Sequence, residues 1–299
     1  MTSKNYLDPY LKTRNIELIN SLKGGGIQGP SVIELNVIAK CNRSCFFCPI
    51  SDEDFYKNND YDGKMDKDFF HIFINELKHI NFSGKVLFAA LCEPLLHKDI
   101  FYFVSSLRKE VDSVNIEIVT NGDVLNASRL KRLFDAGLDV LCISMYDGDH
   151  QIQHFKEMIK EANVPEDKVK LRRRYLKEGN YGMTISNKGG LVDTSEITIK
   201  EELPLKKICY YPFYHMMLDF NGDVMPCCHD WQKKCIIGNL NDNSIMEIWE
   251  SKEESQLRNN LSKSNRNMDP CKTCDVAGDL VGKERFEEWK SQTRNLTKL

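Results

Sequence analysis

Between residues 31 and 175 the sequence alternates two kinds of segment, and that alternation limits the possible fold more than any other feature of the chain. The runs SVIELNVI (31–38), GKVLFAA (84–90), VNIEIVT (114–120), LDVLCIS (138–144) and DKVKLRRRY (167–175) are short and strand-like. Between them, DKDFFHIFINELKHI (66–80), KDIFYFVSSLRKEV (98–111), NASRLKRLFDAG (126–137) and DHQIQHFKEMIKEA (149–162) carry apolar residues at helical spacing. Strands joined through helices cross over rather than fold back as hairpins. The expectation is therefore an α/β fold, a parallel sheet with helices outside it. YGMTIS (181–186) is a candidate sixth strand, and residues 6–22 read as an amphipathic helix stopped at Gly24-Gly25-Gly26.

The character changes after Gly189-Gly190. YHMMLDFNGDVMPCC (214–228) reads as two short strands about an Asn221-Gly222 turn. NSIMEIWESKEESQLRNNLSK (243–263) reads as one helix with Asn243 or Ser244 as its cap. DPCKTCD follows as a loop, and a charged helix begins near residue 279. The expected organisation is an N-terminal helix (1–30), an alternating domain (31–195), a smaller cysteine-bearing domain (196–280) and a terminal helix (281–299).

Eleven cysteines among 299 residues require an account. The N-terminus lacks the apolar core of a signal peptide, and no apolar run is long enough to span a membrane. A net charge of −3 gives no reason to expect nucleic-acid or membrane binding. A cytoplasmic protein is expected, and in a reducing compartment clustered cysteines point to metal or catalysis rather than disulfides. Cys41, Cys45 and Cys48 share the loop KCNRSCFFCPI directly after the first strand. Such a loop can wrap three corners of a cubane iron–sulfur cluster and leave the fourth iron open. Zinc is the competing metal, but its structural sites close with a fourth Cys or His, and none follows here before His71. Cys92 and Cys142 lie in apolar runs and read as small buried hydrophobes.

The C-x3-C-x2-C loop after the first strand resembles the signature of the radical S-adenosylmethionine (SAM) superfamily, and the resemblance extends over essentially the whole chain beyond the first helix. It implies a partial (β/α)6 TIM-like barrel in which Cys41, Cys45 and Cys48 hold a [4Fe–4S] cluster whose open iron chelates SAM. Phe47 would pack near adenine. LCEPLLH (91–97) resembles the segment around the methionyl amino group, with Glu93 and Pro94 matching and Cys92 standing where the family has glycine. Thr120 and Asn121 of TNGDVLN, and Ser144 at the next strand end, resemble further SAM-side positions. Cys209, Cys227, Cys271 and Cys274, with DFNGDVMPCC, IGNL and SIMEIW, resemble the SPASM/twitch extension that carries auxiliary clusters. With no cysteine after Cys274, a twitch-type module with one fully ligated [4Fe–4S] cluster is implied, so two clusters and SAM are the expected cofactors. Zinc on the same four thiolates is the structural alternative, and Cys228 or Cys235 could replace Cys227.

For the substrate, Glu34 and Asn36 share one face of the first strand, and Lys170, Arg172 and Arg174 share one face of the fifth. Glu34 or Arg172 is the candidate base, and arginines inside a barrel suit a phosphate, carboxylate or polyol. SNKGG (186–190) resembles an Asn-Arg-Gly-Gly segment of SPASM-type enzymes. The single-auxiliary-cluster spacing most resembles radical SAM dehydrogenases that oxidise an aminocyclitol alcohol. It implies a small carbohydrate-derived or phosphorylated substrate and a flavodoxin- or ferredoxin-type electron donor. The alternatives are a radical epimerase using a spare thiol (Cys92, Cys142, Cys228 or Cys235), a peptide maturase, for which residues 1–30 are short, and a metal-binding interaction module.

Overall fold

Eight strands form one sheet in the order β5-β4-β3-β2-β1-β6-β7-β8. The structure is a computed structural model that describes residues 29–52, 54–58, 62–175, 186–193 and 202–296. The expected helix 6–22 and nearly all of the candidate strand 181–186 lie outside the described residues. Strands β1 (Val32–Asn36), β2 (Lys85–Phe88), β3 (Asn115–Thr120), β4 (Val140–Met145) and β5 (Val169–Arg173) run parallel, each within a few residues of its expected span. Helices α1 (Lys67–His79), α2 (Ile100–Glu110), α3 (Ala127–Asp135) and α4 (His150–Ala162) occupy the crossovers. Local chemistry starts two of them: Asp66 accepts from the Phe69 amide, and Asn126 accepts from the Arg129 amide.

Period-2 alternation decides which face each strand residue serves. Ile33, Leu35, Val86, Phe88, Ile116, Ile118, Leu141 and Ile143 belong to the main core with Phe70, Phe73 and Leu77 of α1 and Phe103 of α2. The opposite face carries Glu34, Leu87, Val119 and Arg172, which line a cavity. Below them on that face a buried Lys85–Glu117 ion pair closes the floor. No closure between β5 and β8 is seen among the described residues, so the barrel is partial and open.

The hairpin expected in the smaller domain belongs to the same sheet. β6 (His215–Asp219) runs parallel to β1, Val32 opposite His215 and Asn36 opposite Asp219, and β7 (Asp223–Met225) and β8 (Gly238–Asn239) continue the edge antiparallel. The Tyr214 carbonyl accepts from the Ser31 and Val32 amides, and Asn36 Nδ2 donates to Asp219 Oδ1 at 2.7 Å. The single helix expected over 243–263 is two, α5 (Ile245–Trp249) and α6 (Lys252–Ser262). Ser244 caps the first with a reciprocal Glu247 bond, and Ser251 takes an extended backbone and caps the second by accepting from the Glu254 amide. The last helix, α7 (Lys283–Leu296), sets Phe286 and Trp289 against Phe213.

Candidate active site

A cavity of about 910 Å³ opens at the carboxyl ends of β1–β4 and is walled on its far side by the segment 275–281. Ligands collect at this end of parallel strands because loops, not helix-packed side chains, meet there. Cys41, Cys45 and Cys48 line it together. Their thiols are close enough for charge on each to oppose charge on the next, and burial is the larger cause raising all three, Cys48 to about 11. Converging thiols that resist ionisation alone become thiolates when a cation neutralises them, so the donor set fits an iron–sulfur cluster.

Arg43 fixes this loop. It binds Asp123 after β3 with Nε at 2.7 Å and Asp147 after β4 with both Nη atoms at 2.7 Å. Asp147 is held below the usual carboxylate range by those bonds. Arg43 also lies 5.3 Å over the Tyr146 ring, on which Phe47 stacks at 5.7 Å. Burial, the largest cause, pushes the Tyr146 hydroxyl up, so it stays protonated. Phe47 thus sits at the cavity wall beside an aromatic partner rather than in solvent.

Glu93 accepts from Thr120 Oγ1 at 2.7 Å, the Asn121 amide at 2.7 Å and the Leu95 amide at 3.0 Å. Burial raises its pKa while these donors oppose the rise. The carboxylate therefore ties the ends of β2 and β3 together at the cavity edge. Asn121 Nδ2 reaches Asn42 Oδ1 at 2.8 Å and approaches Cys41 Sγ at 3.9 Å, and Ser144 also lines the cavity. Cys92 keeps an ordinary negative φ and its thiol donates to the Ala89 carbonyl at 3.4 Å; the left-handed turn falls on Ala90 instead, so a side chain is tolerated where the family has glycine. Gly122 cannot change in this way: at φ +80° its Cβ would stand 2.7 Å from Phe155 and 2.9 Å from Ile143.

Cys209, Cys227, Cys271 and Cys274 also come together. Burial is the largest cause raising each; charge on Cys228, Cys271, Cys209 and Cys274 adds to the rise at Cys227, and charge on Cys209 adds to it at Cys271 and at Cys274, which reaches about 11, while Arg266 opposes it at Cys209. Arg266 builds the enclosure, donating to the carbonyls of Lys207, Val276 and Ala277 at 2.9, 2.7 and 2.6 Å. Gly278 makes room for Cys209, whose Sγ would be 2.3 Å from an added Cβ. All eleven cysteines are free, and this enclosed thiol set again fits an iron–sulfur cluster. Cys235 packs near Cys209 and Cys271 within this region, whereas Cys228 lines the cavity.

Inside the cavity Glu34 Oε2 and His215 Nε2 are 2.9 Å apart. His215 Nδ1 is buried without a hydrogen-bond partner among the described residues, and Nε2 is the nitrogen that donates to the Glu34 carboxylate. Arg172 is buried opposite Ser144 in register and Arg174 lines the same wall, while Arg173 faces outward toward Asp149 at 3.9 Å. Lys188 enters from the SNKGG segment, which Asn187 and Asp275 clamp to the C-x2-C loop: the Asn187 amide donates to Asp275 at 2.9 Å and Asn187 Nδ2 to the Thr273 carbonyl at 2.7 Å. Lys188 lies 5.7 Å from the Trp231 ring centre and its charge reaches both Cys48 and His229. His229 is pushed down to about 3, first by burial and then by that charge, and is a neutral ring.

The residues that sequence reasoning missed are Arg43, Tyr146, His215, His229 and Arg266. Asp123 and Asp147, both beside motif residues, were the available signal for Arg43; nothing local marks His215, which meets Glu34 across 181 positions. Among the described residues no helix is long and apolar enough to cross a membrane.

Known proteins resemble this chain in sequence and fold. The radical SAM superfamily profile matches residues 35–187, and the SPASM iron–sulfur cluster-binding domain profile matches residues 209–275. The S-adenosyl-L-methionine-dependent 2-deoxy-scyllo-inosamine dehydrogenase of Niallia circulans is 28% identical over 246 residues, covering 82% of this chain and 92% of that protein. The crystal structure of BtrN in complex with AdoMet and 2-DOIA superimposes with a TM-score of 0.67 at 27% identity, over 83% of this chain and 93% of that one. Native anSMEcpe with bound AdoMet shares the fold at a TM-score of 0.54 and 14% identity, over 89% and 99% of the two chains. With a three-thiol loop at the mouth of a partial parallel barrel and a profile match over more than half of its length, the chain belongs to the radical SAM superfamily and is a radical SAM enzyme with a SPASM iron–sulfur domain.

Proposed function

We propose that this enzyme oxidises an alcohol of a small polar substrate, an aminocyclitol or sugar-like molecule, to a ketone. When bound, SAM on a [4Fe–4S] cluster supplies a 5′-deoxyadenosyl radical for one hydrogen-atom abstraction, and an auxiliary [4Fe–4S] cluster supplies an acceptor for one electron. Cys41, Cys45 and Cys48 would hold the first cluster, and Cys209, Cys227, Cys271 and Cys274 the second. Phe47 would pack on the adenine side, with Glu93, Thr120, Asn121 and Ser144 framing the strand ends around SAM. Loss of a hydrogen atom and an electron from a carbinol must be matched by loss of its hydroxyl proton, and Glu34 is the carboxylate placed to take it. Arg172, with Arg174 and Lys188, would orient substrate oxygens, including a phosphate if the substrate bears one. A one-electron donor of flavodoxin or ferredoxin type would reduce the first cluster.

The observation that carries this reading is that a single cavity is walled by the Cys41/Cys45/Cys48 loop on one side and by the auxiliary loop segment 275–278 on the other, with a Glu34–His215 pair on its inner face. The test is anaerobic turnover of cluster-loaded enzyme with SAM, a one-electron reductant and 2-deoxy-scyllo-inosamine beside a panel of sugar phosphates. Ketone formed in step with 5′-deoxyadenosine supports the proposal; 5′-deoxyadenosine without ketone, across substrates that bind, opposes it. A second reading has its own observation: the Cys228 thiol is near Glu34 and His215 in the cavity, where it could return hydrogen to a substrate radical in a redox-neutral epimerisation. Deuterium from D2O in recovered, inverted substrate, lost in Cys228→Ala, would favour it.

A further inference from the structure

Glu34, His215 and Cys228 come from β1, β6 and the loop after β7, yet one ligand atom from each lies within 4.8 Å of the other two. Glu34 and His215 are buried and Cys228 is half-buried, and all three line the cavity. None of the three is among the seven thiols assigned above to the two clusters. Cys228 is close enough to Cys227 to be the largest neighbouring charge on it, but Cys228 lines the cavity, whereas Cys227 does not and also feels Cys271, Cys209 and Cys274. One carboxylate oxygen, one imidazole nitrogen and one sulfur are the mixed donor set of a borderline cation of the zinc class. A magnesium- or calcium-type ion would instead require an oxygen shell.

We propose that Glu34, His215 and Cys228 form a mononuclear site for a divalent cation of the zinc class on the inner face of the substrate cavity. The ion takes the place of the proton now shared between His215 Nε2 and Glu34 Oε2, and draws in the Cys228 thiolate. Binding therefore releases the Cys228 proton, and the imidazole's single proton moves from Nε2 to Nδ1, leaving Nε2 to bind the ion. Three protein ligands leave the fourth position directed at the cavity, the arrangement by which zinc sites bind an oxygen of substrate or water and make it more acidic. The role rests on the alcohol-oxidation reading: the open position would take the substrate's hydroxyl oxygen and make its proton acidic enough to pass to water in the cavity, with Glu34 then acting as a ligand and not as a free base. The existence of the site does not rest on that reading, because it can be measured without turnover.

The experiment is a zinc count on cluster-loaded enzyme given a slight excess of Zn2+ anaerobically and then desalted, with iron counted in the same samples. Wild type is expected to retain about one zinc per chain with its iron unchanged, and Glu34→Gln, His215→Ala and Cys228→Ser to retain at least tenfold less while keeping iron and elution volume. Zinc X-ray absorption should show one sulfur near 2.3 Å with nitrogen and oxygen near 2.0–2.1 Å. Wild-type protein that keeps its iron and retains no zinc would overturn the proposal. So would zinc retained undiminished by His215→Ala and Cys228→Ser, or an all-sulfur shell, which would place the ion on Cys209, Cys227, Cys271 and Cys274. Failure of SAM cleavage or of ketone formation would leave the zinc result standing, and loss of the zinc site would leave the radical chemistry to be judged separately.

Discussion

Both oxygens of Glu93 are committed to the protein's own donors, Thr120 Oγ1, the Asn121 amide and the Leu95 amide. Removing the carboxylate leaves buried donors without an acceptor, each costing about 1–3 kcal/mol. Glu93→Ala is therefore expected to lower stability by roughly 3 kcal/mol or more in denaturant titration of the purified protein; an unchanged midpoint would mean these bonds brace nothing. Glu34→Gln tests a different property. Its shape is kept while its proton acceptance is lost, so kcat should fall about 10²–10⁴-fold with SAM binding by equilibrium dialysis unchanged; a parallel loss of SAM affinity would move Glu34 out of the substrate's side of the cavity. Glu34 was legible because period-2 alternation put it opposite the core face of a strand. His215 was not, since its own strand, HMMLD, offers no pattern that tells a ligand from a filler, and its partner is 181 positions away. The cysteines were legible because sequence spacing is itself the chemistry of a metal loop, whereas Arg43 and Arg266 act on residues brought near only by folding.

At the scale of elements, the buried Glu254–Arg258 pair of α6 gives a pH prediction outside the site. Glu254 Oε1 and Arg258 Nη2 are 3.1 Å apart but not aligned as a hydrogen bond. Burial, only partly opposed by Arg258, pushes the Glu254 carboxyl up to about 7 from its ordinary 4.5. The folded state then holds a proton that the unfolded chain has released, so folding takes up a proton between these values. This group's contribution falls as pH rises from about 4.5 to 7, by an amount on the order of 3 kcal/mol, and is level above. Glu254→Gln should flatten that slope in denaturation measured at pH 5, 6, 7 and 8; a wild-type slope of opposite sign contradicts the assignment. Gly278→Ala tests the loop that admits Cys209. Its Cβ would press within 2.3 Å of the sulfur, so the variant should assemble about half the iron of wild type; a full complement would mean the loop can yield. Strands and helices of the alternating region were legible because each has one apolar face. The break at Ser251 was not, because helix-forming residues run through it and a single side-chain cap decides the outcome. Nor was the parallel pairing of β6 with β1, which depends on which edge of a finished sheet remains open.

At the scale of the whole molecule, the sheet makes one wall out of what sequence divides in two. Because β6 pairs with β1, the loop carrying Cys227 and Cys228 starts from the same sheet as the loop carrying Cys41, Cys45 and Cys48. The clamp of Asn187 on Thr273 and Asp275 ties the chain leaving the barrel to the C-x2-C loop, so the first thiol set and the segment 275–278 that follows the second face one cavity. That arrangement gives the proposed oxidation both a place for hydrogen abstraction and a neighbouring acceptor for the remaining electron. It requires two clusters in one chain, and the direct test is to reconstitute iron and sulfide anaerobically and count both. Wild type should carry about eight irons, and the Cys41/Cys45/Cys48→Ala and Cys209/Cys227/Cys271/Cys274→Ala variants about four each. About four irons in wild type, falling to none when Cys41, Cys45 and Cys48 are replaced, would contradict the account: the second thiol set would then hold no iron and the oxidation would lack its electron acceptor.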